Sequence, residues 1–367
     1  QEIVSQSHDR NFSKDFEWPV SSVQVLNSNV VLKVDRTFVC NSFLKDICSN
    51  GLKLLNNGSS LRLNVVNCEL KRYKPKKPVR QLNQVRVNQV CSALVRLLTS
   101  CNHDISPEEN ASYILKVGCS DQKHLVQQGR DIPIKVGEVT LNEKEHTNIN
   151  TSFMDVYSKM CDNMLSIATE RENNASKTDI LLQAKLLAAS ELQLSFLSKY
   201  IDRPVVLHSE NGFKKITKSD ASFMLYNNAR ITQLLYSFKR QNEKYGDLLS
   251  LESVDFSHLQ EPEEWQIVFH FLLPYAELMK SLANLKELTS KESLNKLNKS
   301  LGDICGLVLH MSSVYSKYYR RVRVLREGIR DPAMIQTLNA RVYLVLAIKT
   351  IYEHAFSILD IRAPNVM

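Results

Sequence analysis

Glycine is scarce: ten among 367 residues, and none builds a G-x-G-x-x-G turn or a G-x-x-x-x-G-K-[ST] phosphate loop. The common glycine-dependent cradles for a nucleotide are therefore absent. Cysteine is more plentiful but unpatterned. Cys40, Cys48, Cys68, Cys91, Cys101, Cys119, Cys161 and Cys305 include no C-x-x-C pair, which removes the usual zinc-ribbon and dithiol signatures. A zinc site on Cys101 and His103 would need distant partners, so no metal and no cofactor is expected. Reduced, mostly buried thiols in a cytoplasmic protein are the expectation. The nine histidines are scattered, and no G-x-S-x-G nucleophile turn appears. No apolar run approaches bilayer length, so no membrane partner is expected. The start, Gln1-Glu2-Ile3-Val4-Ser5, lacks the basic and apolar segments of a secretory signal, and its non-methionine first residue predicts a short missing leader. Without a secretory route, Asn57-Gly58-Ser59 and Asn174-Ala175-Ser176 carry little weight as glycosylation acceptors.

What is present suits two globular domains: 43% apolar and 23% charged residues, with a formal charge of +8 that favours polyanionic partners. The first half reads as α/β. Val23 to Leu26, Val30 to Val34, Leu61 to Val66 and Tyr113 to Val117 are strand-like. Val85, Val87, Val90, Ala93, Leu94, Leu97 and Leu98 form a helical stripe. Between these lies a basic loop, Lys71-Arg72-Tyr73-Lys74-Pro75-Lys76-Lys77-Pro78-Val79-Arg80, whose prolines block helix there. From Asp179, a plausible N-cap, the pattern becomes helical. A polar connector is expected over Asp202 to Ser219, followed by four amphipathic segments. Phe223, Tyr226, Arg230 and Leu234 share one helix face. Pro262 opens a second helix, Ser290 to Tyr319 forms a third, and Leu344, Ile348, Ile351, Ala355 and Ile358 mark the last. The expected division is 1–178 as the α/β domain, 179–215 as a helical connector and 216–367 as a helical bundle.

Three blocks in the second half carry a family resemblance. Phe223-Met224-Leu225-Tyr226-Asn227-Asn228-Ala229-Arg230-Ile231 is similar to the F-x-x-Y-x-x-A-R-I start of the DALR anticodon-binding domain of arginyl-tRNA synthetases. Ile361-Arg362-Ala363-Pro364-Asn365-Val366-Met367 resembles its I-x-A-P-x-x-M ending, and Tyr315-Ser316-Lys317-Tyr318-Tyr319 leading to Val324-Leu325 its F-x-x-F-Y segment. The resemblance spans about Ile180 to Met367. It implies a synthetase-like Rossmann domain followed by a DALR-type bundle that grips tRNA. The residue chemistry agrees, because splayed loop bases are read by aromatic stacking while Arg and Lys neutralise phosphates. Candidate contacts are Tyr226 and Arg230, Tyr318 and Tyr319, Arg320, Arg321, Arg323 and, from the resemblance, Met367. Lys71, Arg72, Lys74, Lys76 and Lys77 are candidates for phosphate. Tyr226 could equally be bundle core, and Arg230 could hold a helix end or a carboxylate.

The catalytic half of that family places an H-x-G-H signature behind its first strand, followed by L-R and an A-L-x-R-L-L helix. The similar stretch here is Gln81-Leu82-Asn83-Gln84-Val85-Arg86, then Ala93-Leu94-Val95-Arg96-Leu97-Leu98, with Gln81, Asn83 and Gln84 in place of the signature. Near the expected K-M-S loop stands only Lys214-Lys215-Ile216-Thr217-Lys218-Ser219. A pseudoenzyme is expected. The resemblance to non-catalytic DALR-domain relatives of the synthetases, also seen in Ser253 to Ser257, Glu264-Trp265 and Lys123 to Gly137, implies an adaptor. It would bind arginine tRNA and present it to a tRNA 3-methylcytidine methyltransferase, with no DNA partner. A residual arginyl-tRNA synthetase and a pure protein-interaction subunit are the rival expectations.

Overall fold

A computed structural model of the chain describes residues 18–26, 29–52, 60–68, 78–119, 129–142, 152–171, 177–208, 220–285, 287–326 and 331–363. It opens with an antiparallel hairpin, β1 (Val20–Leu26) and β2 (Asn29–Val34), in the register Val23↔Leu32 and Val25↔Val30. Helix α1 (Arg36–Asn50) follows, its first turn capped by the Asp35 carboxylate, which accepts from the Phe38 N–H at 3.0 Å. Four parallel strands then form a sheet in the order β4-β3-β5-β6: β3 (Arg62–Asn67), β4 (Asp104–Ile105), β5 (Tyr113–Cys119) and β6 (Asp131–Val136). Strand β5 and its neighbour β6 are rich in buried aliphatics, Leu115 and Val117 on β5 and Ile132, Ile134 and Val136 on β6. That composition suits a parallel sheet covered on its faces. Helix α2 (Pro78–Ser100) contributes Val87, Val90, Ala93, Leu94, Leu97 and Leu98 to the same core, as the periodicity predicts, while Val85 packs half-buried against a second, smaller cluster around Leu82 and Phe196.

After β6 the chain passes through Gly137 into β7 (Val139–Asn142), which pairs in parallel with β8 (Val205–His208). The connector expected over Asp202 to Ser219 thus contains a strand, because Val205 and Leu207 bury against this sheet edge. Gly137 is dictated by space: a Cβ there would lie 2.3 Å from the Arg203 carbonyl. Helices α3 (Phe153–Arg171) and α4 (Lys177–Leu197) form the bridging layer. Since α4 begins at Lys177, Asp179 lies in its first turn and is not its cap.

The second half is helical: α5 (Asp220–Arg240), α6 (Pro262–Ile267), a π-helical turn over Val268–Leu272, α7 (Leu273–Ala283), α8 (Lys291–Arg321) and α9 (Pro332–Leu359). Pro262 stands at the first helical position, where its missing N–H is harmless. One buried apolar cluster runs from Cys40 to Ile361, so the sheet and the helical bundle share a core. Helix α1 packs on the bundle: the Cys48 thiol donates to the Tyr343 carbonyl at 3.6 Å, and Asn41 accepts from the Phe256 N–H at 3.2 Å. Against the expectation from sequence, two helices (residues 178–197 and 332–359) are long and apolar enough to cross a bilayer. The second has 67% of its apolar window buried inside the protein, and its apolar character is accounted for by packing, with Leu344, Ile348 and Ile351 in the core.

Candidate nucleic-acid interface

Helix α5 buries Met224, Leu225, Ile231 and Leu234 and turns Tyr226 outward, 45% exposed. Tyr226 and Leu234 therefore do not share a face, contrary to the sequence pattern, and Tyr226 is not core. Four residues further on, Arg230 rises along the same surface. Its Nη2 donates to the Tyr226 hydroxyl at 2.6 Å, and its guanidinium carbon sits 4.0 Å from the Tyr226 ring centroid. Helix α8 supplies a second ring, with Tyr319 5.1 Å from the same carbon and also exposed. The structure thus brings three of the candidate residues together from two helices. Among the described residues no carboxylate forms an ion pair with Arg230. A planar cation between two rings, with its charge uncompensated, is a platform for a flat, electron-rich, anionic ligand.

Below this platform lies Tyr315, fully buried, its ring 6.0 Å from that of Tyr319. Its hydroxyl has no hydrogen-bond partner. Burial pushes the Tyr315 hydroxyl pKa up, while the Arg230 charge pulls the other way. That hydroxyl stays neutral, so it adds no charge beneath the platform.

The neighbouring candidates divide. Tyr318 is completely buried, and its hydroxyl donates to Glu264 Oε1 at 3.0 Å, so it is a core residue and not a stacking ring. Arg321 is already neutralised. Its Nε donates to Glu263 at 3.1 Å and its Nη2 to Glu261 at 2.6 Å, so it braces the end of α8 against the start of α6. Arg320 and Arg323 are exposed, and Arg320 Nε caps its own helix through the Ser316 carbonyl at 3.2 Å. Met367 and Lys71, Arg72, Lys74, Lys76 and Lys77 lie outside the described residues, as do Lys214 to Ser219.

Sequence reading passes over the pair that holds this corner in place. Glu264 is buried, accepts from Arg341 Nε at 2.7 Å, and its Oε2 closes a capping box on the Glu261 N–H at 2.9 Å. An isolated Glu and an isolated Arg 77 residues apart offer no sequence signal for such pairing. The Tyr236 and Arg240 pair is also missed, although it repeats the i, i+4 spacing of Tyr226 and Arg230.

Within the α/β domain, β4 and β5 lie on opposite sides of β3. Parallel α/β sheets open a ligand crevice at such a switch point. Asn83 Oδ1 accepts from the Val139 N–H at 2.7 Å, so its side chain stitches α2 to β7. Arg86 is fully buried and donates to four carbonyls: Phe196 at 3.2 Å, Gly137 at 2.5 Å, Arg203 at 2.7 Å and Tyr200 at 3.3 Å. Burial pushes its pKa down to about 10. Both residues act as structural ties. His103 is likewise occupied, accepting at Nδ1 from the Leu61 N–H (3.2 Å) and meeting the Leu282 carbonyl through Nε2 at 2.9 Å. Burial lowers its pKa. Among the described residues no group of three His, Cys, Asp or Glu side chains could hold a metal. A groove of 530 Å³ opens between α3, α4 and the end of α9, lined by Phe153, Met154, Leu182 and Arg362 among others.

Residues 224–367 match the family described as the DALR anticodon binding domain. A DALR anticodon-binding domain-containing protein 3 from Danio rerio is 24% identical over 268 residues, covering 72% of this chain and 45% of that protein. The Rattus norvegicus protein of the same name is 26% identical over 178 residues, covering 48% of this chain and 32% of that protein. An arginine–tRNA ligase from Desulfosudis oleivorans is 27% identical over 182 residues, covering 49% of this chain and 29% of the ligase. The chain thus spans less than half the length of these curated relatives. Among solved structures, Plasmodium falciparum arginyl-tRNA synthetase aligns with a TM-score of 0.65 at 8% identity, over 100% of this chain and 92% of that one. The Thermus thermophilus enzyme aligns with a TM-score of 0.51 at 15% identity, over 72% and 43%. At these identities the structural likeness shows the fold: an arginyl-tRNA synthetase-like α/β domain joined to a DALR-type helical bundle.

Proposed function

We propose that this DALR-domain chain is a non-catalytic tRNA-binding adaptor. It recognises arginine tRNA through the α5–α8 face and presents it to a methyltransferase that forms 3-methylcytidine in the anticodon loop. The observation that carries the RNA contact is Arg230, held between the Tyr226 and Tyr319 rings without a carboxylate. A base splayed from a loop stacks on the guanidinium or on the outer ring faces, and base–aromatic stacking contributes about 1–3 kcal/mol per base. Arg320 and Arg323, exposed at the end of α8, supply phosphate contacts.

The absence of synthetase chemistry is supported by the α2 entry, where Gln81, Asn83 and Gln84 replace the histidine signature and Asn83 is committed to β7. The adaptor role and the methyltransferase are supported by the resemblance of Ser253 to Ser257, Glu264-Trp265 and Lys123 to Gly137 to non-catalytic DALR-domain proteins. Eight cysteines without a disulfide support a cytoplasmic location.

Binding to total tRNA near physiological salt, with the bound fraction sequenced, tests the reading. Arginine tRNAs should be enriched, and Arg230→Ala should reduce that enrichment. Equal recovery of every tRNA would refute a reader. A positive arginine- and ATP-dependent pyrophosphate exchange would refute the pseudoenzyme.

A further inference from the structure

Tyr226 and Arg230 are not the only such pair on α5. Ten residues on, Tyr236 and Arg240 repeat the arrangement, with Arg240 Nη1 donating to the Tyr236 hydroxyl at 3.4 Å. Tyr236 is 60% exposed, more than Tyr226, and Arg240 and Lys239 beside it are exposed too. One exposed tyrosine is ordinary on a protein surface. Two Tyr–Arg pairs with the same spacing and the same hydrogen bond, on a helix whose other faces are filled with Met224, Ile231, Leu234 and Phe238, are not explained by packing.

Ten residues of α-helix advance about 15 Å and turn to within about 80° of the starting face. The two pairs therefore lie on adjoining sides of α5, one above the other. Asp220 at the start of α5 senses His310, while Arg230 meets Tyr319, so α5 and α8 run side by side in the same sense. Helix α8 ends at Arg321. The last turns of α5 run past that end, which leaves Tyr236 uncovered by α8.

We infer that Tyr236 and Arg240 form a second base-stacking site, so that α5 holds one RNA strand at two points. This rests on the reading of Tyr226 and Arg230 as the first site. A separation of about 15 Å equals about four stacked-base rises of 3.4 Å. A strand must therefore reach beyond about five nucleotides to fill both sites. A flat base stacks on the open face of Tyr236 while Arg240 and Lys239 meet its phosphates.

The test is fluorescence anisotropy at low salt with labelled single-stranded RNAs of about four and about ten nucleotides, a span bracketing the two-point contact. Tyr226→Ala, Tyr236→Ala and Tyr236→Phe are compared with the unmodified chain, each checked for fold by circular dichroism. Tyr236→Ala should weaken the long RNA about five-fold or more and the short RNA no more than about two-fold. Tyr236→Phe, which keeps the ring, should bind as the unmodified chain does, and Tyr226→Ala should weaken both RNAs. Unchanged long-RNA affinity in Tyr236→Ala, with Tyr226→Ala still impaired, overturns the second site alone. Unchanged affinity in both alanine variants overturns the first site as well.

Discussion

Arg86→Met separates two readings of a residue that the family resemblance places just after the position of the synthetase signature. Its guanidinium has no substrate-facing surface and donates to four carbonyls drawn from α4, the β6–β7 junction and the loop before β8. A hydrogen bond from a charged donor contributes about 1.5–3 kcal/mol net. Two of these bonds are short and two are long, so the set contributes about 6 kcal/mol gross. Burying the charge opposes it: the fall in pKa to about 10 corresponds to a desolvation cost of about 3 kcal/mol. Methionine refills the aliphatic volume, recovers that cost and strands the carbonyls. The net loss should be about 3 kcal/mol. Urea unfolding followed by circular dichroism should show a lower midpoint with an unchanged slope. Arg86→Lys should fall between, since an ammonium has three donors and no planar fork. Below the transition, both variants should bind RNA as the unmodified chain does. A stability change under about 1 kcal/mol, or an RNA defect in folded Arg86→Met, would refute the clamp.

Glu264→Gln should destabilise by about 3 kcal/mol, because it removes the nearer charge partner of buried Arg341, leaving only the Glu261 carboxylate at 3.6 Å, and turns an amide donor toward Arg341 or Tyr318; a thermal midpoint equal to that of the unmodified chain would count against the network. Stability should also fall with acid. Burial holds the His354 imidazole at about 4 and lowers that of His103. The unfolded chain therefore takes up protons first, and stability present above pH ~6.5 is lost toward pH ~4, by at most about 1.4 kcal/mol per pH unit for each histidine. His354→Gln should flatten that slope in urea titrations, and an unaltered slope would exclude it as the source. Burial pushes the Cys40, Cys48, Cys91, Cys101 and Cys305 thiols up to about 12. In the native protein all five should resist iodoacetamide at pH 8, and rapid mass labelling at any of them would contradict the packing described.

Local pattern and short motifs were enough to specify much of this protein. Short β-branched and aliphatic runs announced β1, β2, β3 and β5, the 3.6-residue stripe announced α2 and α9, and Pro262 marked the start of α6, because each depends on neighbours within a turn or a strand. The Tyr226 to Ile231 block was likewise legible as an anticodon-module motif. Exposure was not legible. Tyr226 and Tyr318 are both tyrosines in helical context, yet one faces solvent and the other donates to Glu264 in the core. That difference arises from the packing of α6 and α9 against α8, which no spacing along the chain encodes. Arg321 and Arg230 look equally available as residues, but only the fold brings Glu261 and Glu263 to the first and leaves the second between two rings. Arg86 shows the same limit from the other side. Its four carbonyl partners lie 51 to 117 residues away, so only the closed tertiary structure could make it a structural tie.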